Sequence, residues 1–275
     1  MVTHESGSDL ERLLSGQLAA ARAIQAPVVV VDNASRDRTP AILAEASEAD
    51  PNLLVHSMAA NLGYAAAVNV AFARAGDRDL MLINPDVQLD RPEPVLALAQ
   101  MLSSDPGIGV VAPRLLDADG EVQPNARRFP SLMAMVASTG AAERSRFLRR
   151  TYQRYTGPSR SEGALVVDWV IGAAMMIRRA AFDEVGGWDE RFFLYMEDTD
   201  FCRRCARAGW DVVYQPSVTL HHRYPRASRT GSPAATSRAR RSHIAGLARL
   251  WARDPRLLIG LGGVRSREVA PGSGA

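Results

Sequence analysis

Val28-Val29-Val30-Val31-Asp32-Asn33-Ala34-Ser35 is the stretch that decides the fold. Four β-branched residues in an unbroken apolar run suit a strand buried on both faces, the kind found inside a parallel sheet. The run opens after Pro27 and stops at a carboxylate. Upstream, Gly7 to Ile24 places Leu10, Leu13, Leu14 and Leu18 on one face of an amphipathic helix. Met1 to Thr3 reads as the last residues of a strand before that helix. Downstream, Ser35 or Asp37 can cap a helix running to about Ala49. Leu53 to Ser57 is a short strand, and Asn61-Leu62-Gly63-Tyr64 a turn into an alanine-rich helix ending near Ala75. Leu80 to Ile83 is a second buried strand, followed by Asn84-Pro85-Asp86. A helix over Pro94 to Ser103 and a strand over Ile108 to Ala112 continue the alternation. Strands alternating with helices predict an α/β fold, a Rossmann-like, mainly parallel sheet with helices on both faces. Ligands of such sheets bind beyond the carboxyl ends of the strands, so Asp32 and Asp86 should face one crevice.

The second half is less regular. Asp117 to Gly163 is basic with scattered aromatics (Arg127-Arg128-Phe129, then Arg144 to Arg154) and reads equally as a flap, an acceptor-side insertion or a solvated loop with a surface helix. Val166 to Ile177 gives two strand-like pieces around Gly172, where a second backbone or ligand can come close. Next comes Trp188-Asp189-Glu190-Arg191-Phe192-Phe193-Leu194-Tyr195-Met196-Glu197-Asp198-Thr199-Asp200. Carboxylates this close to aromatic rings are costly to desolvate together, so at least one is expected to be paired, metal-bound or raised in pKa. From Asp198 a helix is expected, with Phe201, Cys202 and Cys205 inward and the arginines outward. Glu197 and Asp198 then sit at its start, where backbone N–H groups favour negative charge. The bland reading of this stretch is an acidic first turn.

Gly209 caps that helix. Trp210 to Tyr214 and Pro216 to His221 are strands, with His221-His222 at the end. Ser237 to Arg253 forms a helix with Ile244, Leu247, Ala248 and Trp251 on one side, to dock on the domain or lie on an anionic membrane surface. Arg265 to Ala275 is expected to lack order.

The 275 residues suffice for one large domain, and 47% hydrophobic with 23% charged residues is ordinary for a globular chain. All 33 basic side chains are arginine, the formal charge is +3, and the excess gathers late in the chain. Cys202 and Cys205 cannot complete a structural zinc site alone, so they are expected to line the core in a reducing compartment. No run approaches a membrane span and the start lacks a signal-peptide pattern, which leads to an expected cytoplasmic location.

Taken together, these blocks resemble the family 2 glycosyltransferases of GT-A fold, in particular the bacterial rhamnosyltransferase-like branch. The T-Y-N-S-like start is Thr3-His4-Glu5-Ser6. V-D-N-x-S-x-D-x-T is Val31 to Thr39, and N-x-G through a later N is Asn61 to Asn69. L-N-P-D, a variant of D-x-D, is Ile83-Asn84-Pro85-Asp86. The D-W-V-x-G-A, G-G-F-D-E-x-F-F and E-D-x-D-x-x-x-R blocks fall between Asp168 and Arg204. The match covers roughly 1–225, the expected catalytic domain, and leaves 226–275 as a basic helix and tail.

The resemblance implies an inverting transfer of a sugar, with rhamnose a candidate, from a dTDP- or UDP-sugar to a hydroxyl of a cell-envelope glycan or lipid-linked acceptor. Asp32 would accept from the N3–H of the base. Thr3, Glu5, Asn61, Gly63, Asn69 and Asn84 would shape the nucleotide-sugar pocket. Asp86 and His221 would hold Mg²⁺ or Mn²⁺, with His222 competing for the second role. Asp198 would be the general base, Glu197 and Asp200 would orient or cap, and Trp188, Asp189 and Glu190 would form the acceptor-side wall. The basic C-terminal segment would give peripheral contact with the inner face of the plasma membrane.

Two departures stand out. Asn84 replaces one acid of D-x-D, and only Met1 and Val2 precede the first block where relatives carry four or five apolar residues, so a truncated first strand is expected. Rival readings fit less well. A catalytically impaired nucleotide-sugar-binding paralogue would not need the E-D-x-D block. A dehydrogenase needs G-x-G-x-x-G, which Ser6-Gly7-Ser8 does not supply. A nucleic-acid binder using the arginine tail leaves the carboxylates unexplained, and no nucleic-acid partner is expected.

Overall fold

The computed structural model describes residues 1–139, 143, 145–223, 233–264 and 266–269. The boundary expected at 225–226, Arg144 and residues 270–275 lie outside the described residues. The apolar run is strand β2 (Val28–Asp32), parallel to β1 (Val2–Thr3) on one side and to β3 (Leu53–Ser57) on the other. Its two faces are both covered: Val30 packs with Leu10 and Leu14 of α1 (Gly7–Ala23) and Leu43 of α2 (Thr39–Ala49), and Val31 with Ala67 and Val68 of α3 (Tyr64–Arg74). Adjacent strand residues point to opposite sides, so one four-valine run serves two layers.

A second sheet has the order β4 (Leu80–Ile83), β10 (Ala174–Ile177), β6 (Ile108–Leu116), β11 (Asp211–His222), β5 (Val87–Gln88). β6 and β11 are parallel, and β10 runs antiparallel between β4 and β6. β8 (Leu165–Val166) pairs with β11, and β7 (Ala126–Arg127) with β9 (Trp169–Val170). α4 (Glu93–Ser104) lies on the α1/α2 side, with α7 (Arg179–Glu184) and α8 (Glu197–Ala208) on the α3 side. α5 (Leu132–Ser138) and α6 (Arg146–Thr156) give the weakly patterned region 117–163 its order. The two strands expected after Gly209 are one: β11 stays paired to β6 through a register slip between Gln215 and Thr219.

β1 is two residues long. Beside it the three-stranded and larger sheets share no ladder, and an apolar groove of about 390 Å³ opens between β2 and β4, lined by Met1, Val29, Phe72 and Leu82 among others. The Met1 ammonium donates to Val29 O at 2.7 Å, and burial lowers its pKa to about 5.

The C-terminal segment joins the core. Helix α9 (Pro233–Arg253) buries Leu247 and Leu250, α10 (Pro255–Leu258) buries Leu257, and Trp251 Nε1 donates to Pro130 O at 2.8 Å. Asp168 accepts from Phe129 N and Val264 N, tying the two halves of that face. Ile244, expected inward, is 57% exposed. Residues 266–269, expected to lack order, lie beside β8, where Val166 N–H donates to Arg267 O and Val269 N–H to Ala164 O. Among the described residues no helix is long and apolar enough to cross a membrane.

Candidate active site

The ends of β1 and β2, the N-terminal turn of α3, the turn after β4 and the end of β11 are joined by side-chain contacts: Thr3 with Asp32, Asn33 with Asn61, Tyr64 with Asn84, and Asp86 with His222. At the β1/β2 end, Asp32 is buried and its carboxylate is already well served. Oδ1 accepts from Thr3 Oγ1 at 3.1 Å and Ser35 Oγ at 2.5 Å, and Oδ2 from Ser35 N at 3.2 Å. Exposed Glu5 closes the same loop pair: its N–H donates to Ser35 Oγ and its Oε1 accepts from Arg36 N. Glu5 and Ala34 both hold positive φ, 53° and 59°. A non-glycine residue there costs on the order of 1–3 kcal/mol and tends to mark a functional loop.

Asn33, which sequence reasoning left without a role, stitches this loop to the next. Its Nδ2 donates to Asn61 Oδ1 and Gly63 O, and its Oδ1 accepts from Leu62 N. Gly63 has φ +95°, and a Cβ there would fall 2.5 Å from Phe193 O, so only glycine fits. Tyr64 N–H donates to that same Phe193 oxygen. The acidic stretch is thus docked on the Asn61–Tyr64 turn.

Tyr64 is the hub. Its hydroxyl is 2.8 Å from Asn84 Oδ1 and 3.0 Å from Gly172 O, and Gly172 N–H donates to Asp198 Oδ2 at 3.1 Å. The Asn84–Asp86 turn and Asp198 are therefore joined through two residues. The phenol's pKa is pushed well up by burial and by the negative charge of Glu197, Asp198 and Asp86.

Asp198 is half-buried in the first turn of α8. Burial raises its pKa, against the pull of N–H donors from Gly172 and Thr199. Glu197 beside it is buried, and burial plus the Asp198 charge push it well above the carboxylate range. Of the two, Asp198 is the more exposed, and its carboxylate accepts from Gly172 N and Thr199 N. Tyr195 and Met196, immediately before, both take left-handed φ of 69° and 70°. This two-residue kink turns the chain so that α8 begins with its carboxylates at the site.

Asp86 meets a histidine, and the strand decides which one. Along the end of β11, Val218, Leu220 and His222 are buried while Ser217, Thr219 and His221 are exposed. His222 Nε2 lies 3.3 Å from Asp86 Oδ2, and its Nδ1 is 2.7 Å from Gln123 Oε1. The structure brings His222, and not His221, to Asp86. The two-residue alternation from Val218 was the signal that could have chosen between them. With Nδ1 beside Gln123 Oε1, the ring turns its Nε2 toward the Asp86 carboxylate. One carboxylate with one imidazole fits Mg²⁺ or Mn²⁺ when phosphate oxygens complete the shell. Among the described residues no group of three or more His, Cys, Asp or Glu side chains could hold a metal by itself.

The remaining expected residues sit behind Asp198. Asn69 donates to Trp188 O and Glu190 Oε1 and accepts from Trp188 N, so all three of its bonds go to that loop. Trp188 is 2% exposed, stacked on Phe201 at 5.4 Å and edge-on to Tyr64 at 5.7 Å. Asp189 pairs with Arg191 and Arg253. Arg203, expected outward, is buried, and with Arg204 and Arg253 it surrounds the buried Asp200. The cause is the C-terminal helix α9, which covers that face of α8. Cys202 and Cys205 are buried free thiols, as their spacing suggested.

Similarity to known proteins defines the family and the fold. The glycosyl transferase family 2 profile matches residues 1–186, and that of glycosyl transferase family group 2 matches 122–263. The N-acetylglucosaminyl-diphospho-decaprenol L-rhamnosyltransferase of Mycobacterium tuberculosis is 38% identical over 238 residues, 81% of this chain and 74% of that one. Among solved structures, GalNAc-T7 with UDP, GalNAc and Mn²⁺ aligns over 91% of this chain at TM-score 0.63 and 16% identity. This chain spans 46% of that one. The mannosyltransferase PcManGT of Pyrobaculum calidifontis, with GDP-Man and Mn²⁺, aligns over 94% of this chain and 70% of its own at TM-score 0.56 and 17% identity. The fold is GT-A, and the chain belongs to glycosyl transferase family 2. It is a glycosyltransferase of the rhamnosyltransferase-like kind.

Proposed function

We propose that the protein transfers a hexosyl group, rhamnose being the first candidate, from a dTDP- or UDP-sugar to a hydroxyl of a lipid-linked envelope glycan, with inversion. The observation that carries this reading is the chain Asn84–Tyr64–Gly172–Asp198, which links a base of raised pKa to the Asp86–His222 pair. Asp32 with Thr3 and Ser35 would receive the base of the nucleotide, and the Asn61–Gly63 turn would wall it. Asp86 and His222 would hold Mg²⁺ or Mn²⁺. The chemistry such an ion would supply there is charge neutralisation of the diphosphate leaving group.

Asp198 takes the proton from the acceptor hydroxyl as the oxygen attacks the anomeric carbon from the face opposite the diphosphate. One displacement inverts the centre. Glu197, buried beside Asp198 with its pKa raised, would favour a single negative charge on the pair. The acceptor class is supported by the mycobacterial relative, whose name specifies a diphospho-decaprenol-linked N-acetylglucosamine. Contact with the inner face of the plasma membrane is supported by Ile259 and Leu261, 71% and 59% exposed, in a segment rich in arginine. Residues 1–225 would act as the transfer domain, and the basic segment after it as brace and membrane contact.

The test is thermal stabilisation of the purified protein by a panel of nucleotide sugars with and without Mn²⁺. A dTDP- or UDP-sugar that stabilises only with metal is the expected result. Stabilisation by none of them, or equally without metal, would remove the donor and metal assignments.

A further inference from the structure

A polar cavity of about 480 Å³ lies between the loop 185–191, α8 and α9. Arg203 and Arg204 follow Asp198 by five and six residues, which turns them toward the other side of α8. Among the described residues, Trp188 Nε1, Arg203 Nε and Nη1, and Arg204 Nη2 are buried without a hydrogen-bond partner, and all three residues line this cavity. Every one of these atoms is a donor. Arg203 is 6% exposed, so its charge is committed to the interior.

The less exposed acceptors at hand are already engaged, and exposed Glu190 takes Asn69 on one oxygen. Asp200 takes Arg203 Nη2 and Arg253 Nη1 on one oxygen and Arg204 Nε on the other. Asp189 takes Arg191 and Arg253, and Val185 O takes Arg204 Nη1. The lining arginines Arg191, Arg203, Arg204 and Arg253 outnumber the lining carboxylates Asp189 and Glu190, and still do when the buried Asp200 behind them is added. Buried donors without acceptors, in a cavity with room for several heavy atoms, call for a compact oxyanion with many lone pairs.

We propose that this cavity is an anion site that takes a phosphate group, either as free phosphate or as the head of a phospholipid. Occupancy would close the donor set, lock α9 onto α8 through the Asp200 cluster, and hold Trp188, whose ring edge comes close to Gly172 and so backs the residue that positions Asp198. The inference concerns binding alone and does not depend on the donor or acceptor of transfer.

The experiment uses the full chain in EDTA, without nucleotide sugar, titrated with inorganic phosphate against chloride at matched ionic strength and read as melting temperature. Arg204→Lys keeps one charge but loses the fork, and Trp188→Phe keeps the ring but loses Nε1. His222→Ala serves as the control for the nucleotide end. Saturable stabilisation by phosphate, weakened about tenfold or more in Arg204→Lys and measurably in Trp188→Phe but kept in His222→Ala, supports the site with free phosphate as ligand. Co-sedimentation with phosphatidylglycerol vesicles but not phosphatidylcholine vesicles, lost in Arg204→Lys, with no response to free phosphate, supports the lipid head. No response to either ligand, or responses that both variants retain, overturns the proposal and leaves the donors to water. Circular dichroism of each variant confirms that a lost response is not a lost fold.

Discussion

The two ends of the site are built on opposite principles. At the β1/β2 end, Thr3 and Ser35 already supply three donors to Asp32, leaving about one of its four acceptor positions on Oδ2. At the β4/β11 end, Asp86 Oδ2 faces an imidazole nitrogen at 3.3 Å, and Glu197 and Asp198 lie side by side with raised pKa values. The first end is already hydrogen-bonded within the protein. The second crowds two carboxylates of raised pKa side by side, a tension of the kind that marks candidate sites for chemistry. Tyr64 spans the two, with its backbone in the turn stitched by Asn33 and its hydroxyl at Asn84 and Gly172.

The comparison is broken most directly at the tense end. Asp198→Asn should lower transfer by roughly 10²- to 10⁴-fold, the usual worth of a general base, with donor binding unchanged. Because burial raises the Asp198 pKa, wild-type turnover should fall as pH drops through a value above the ordinary carboxylate range. Near-normal transfer by Asp198→Asn would mean that the base lies elsewhere.

Next in size, His222→Ala should weaken metal-dependent donor binding roughly 10- to 100-fold, while His221→Ala behaves as wild type. Calorimetry with Mn²⁺ and donor separates the two, and the reverse ranking would assign the ligand to the exposed ring.

The smallest effect is on stability. Glu197 has a raised pKa in the folded protein, so the native state binds its proton more tightly than the unfolded chain does. Stability is then highest at or below the unfolded carboxylate range and declines as pH rises through the folded value. Glu197→Gln mimics the protonated form and should flatten that decline, raising the melting temperature at alkaline pH by about 2–4 °C per kcal/mol recovered. A variant with the same pH slope as wild type would place the tension elsewhere.

How much of this was legible depends on the range of the contacts involved. The α/β alternation, the buried β2 and the aspartates after β2 and β4 are written locally, because apolar runs and strand-end carboxylates are properties of a few neighbouring residues. The start of α8 is equally local. Gln123 gave no signal, since its contact with His222 spans 99 positions in the chain. Arg253 reaches Asp200 across 53, which is why Arg203 was expected in solvent.

Buried strands, the carboxylates that end them and the family motifs can be read from neighbouring residues. The meeting of His222 with Asp86 and Gln123, the bridging place of Tyr64 and the burial of Arg203 under α9 come from folding. Each depends on a partner distant in the chain, which the residue itself does not announce.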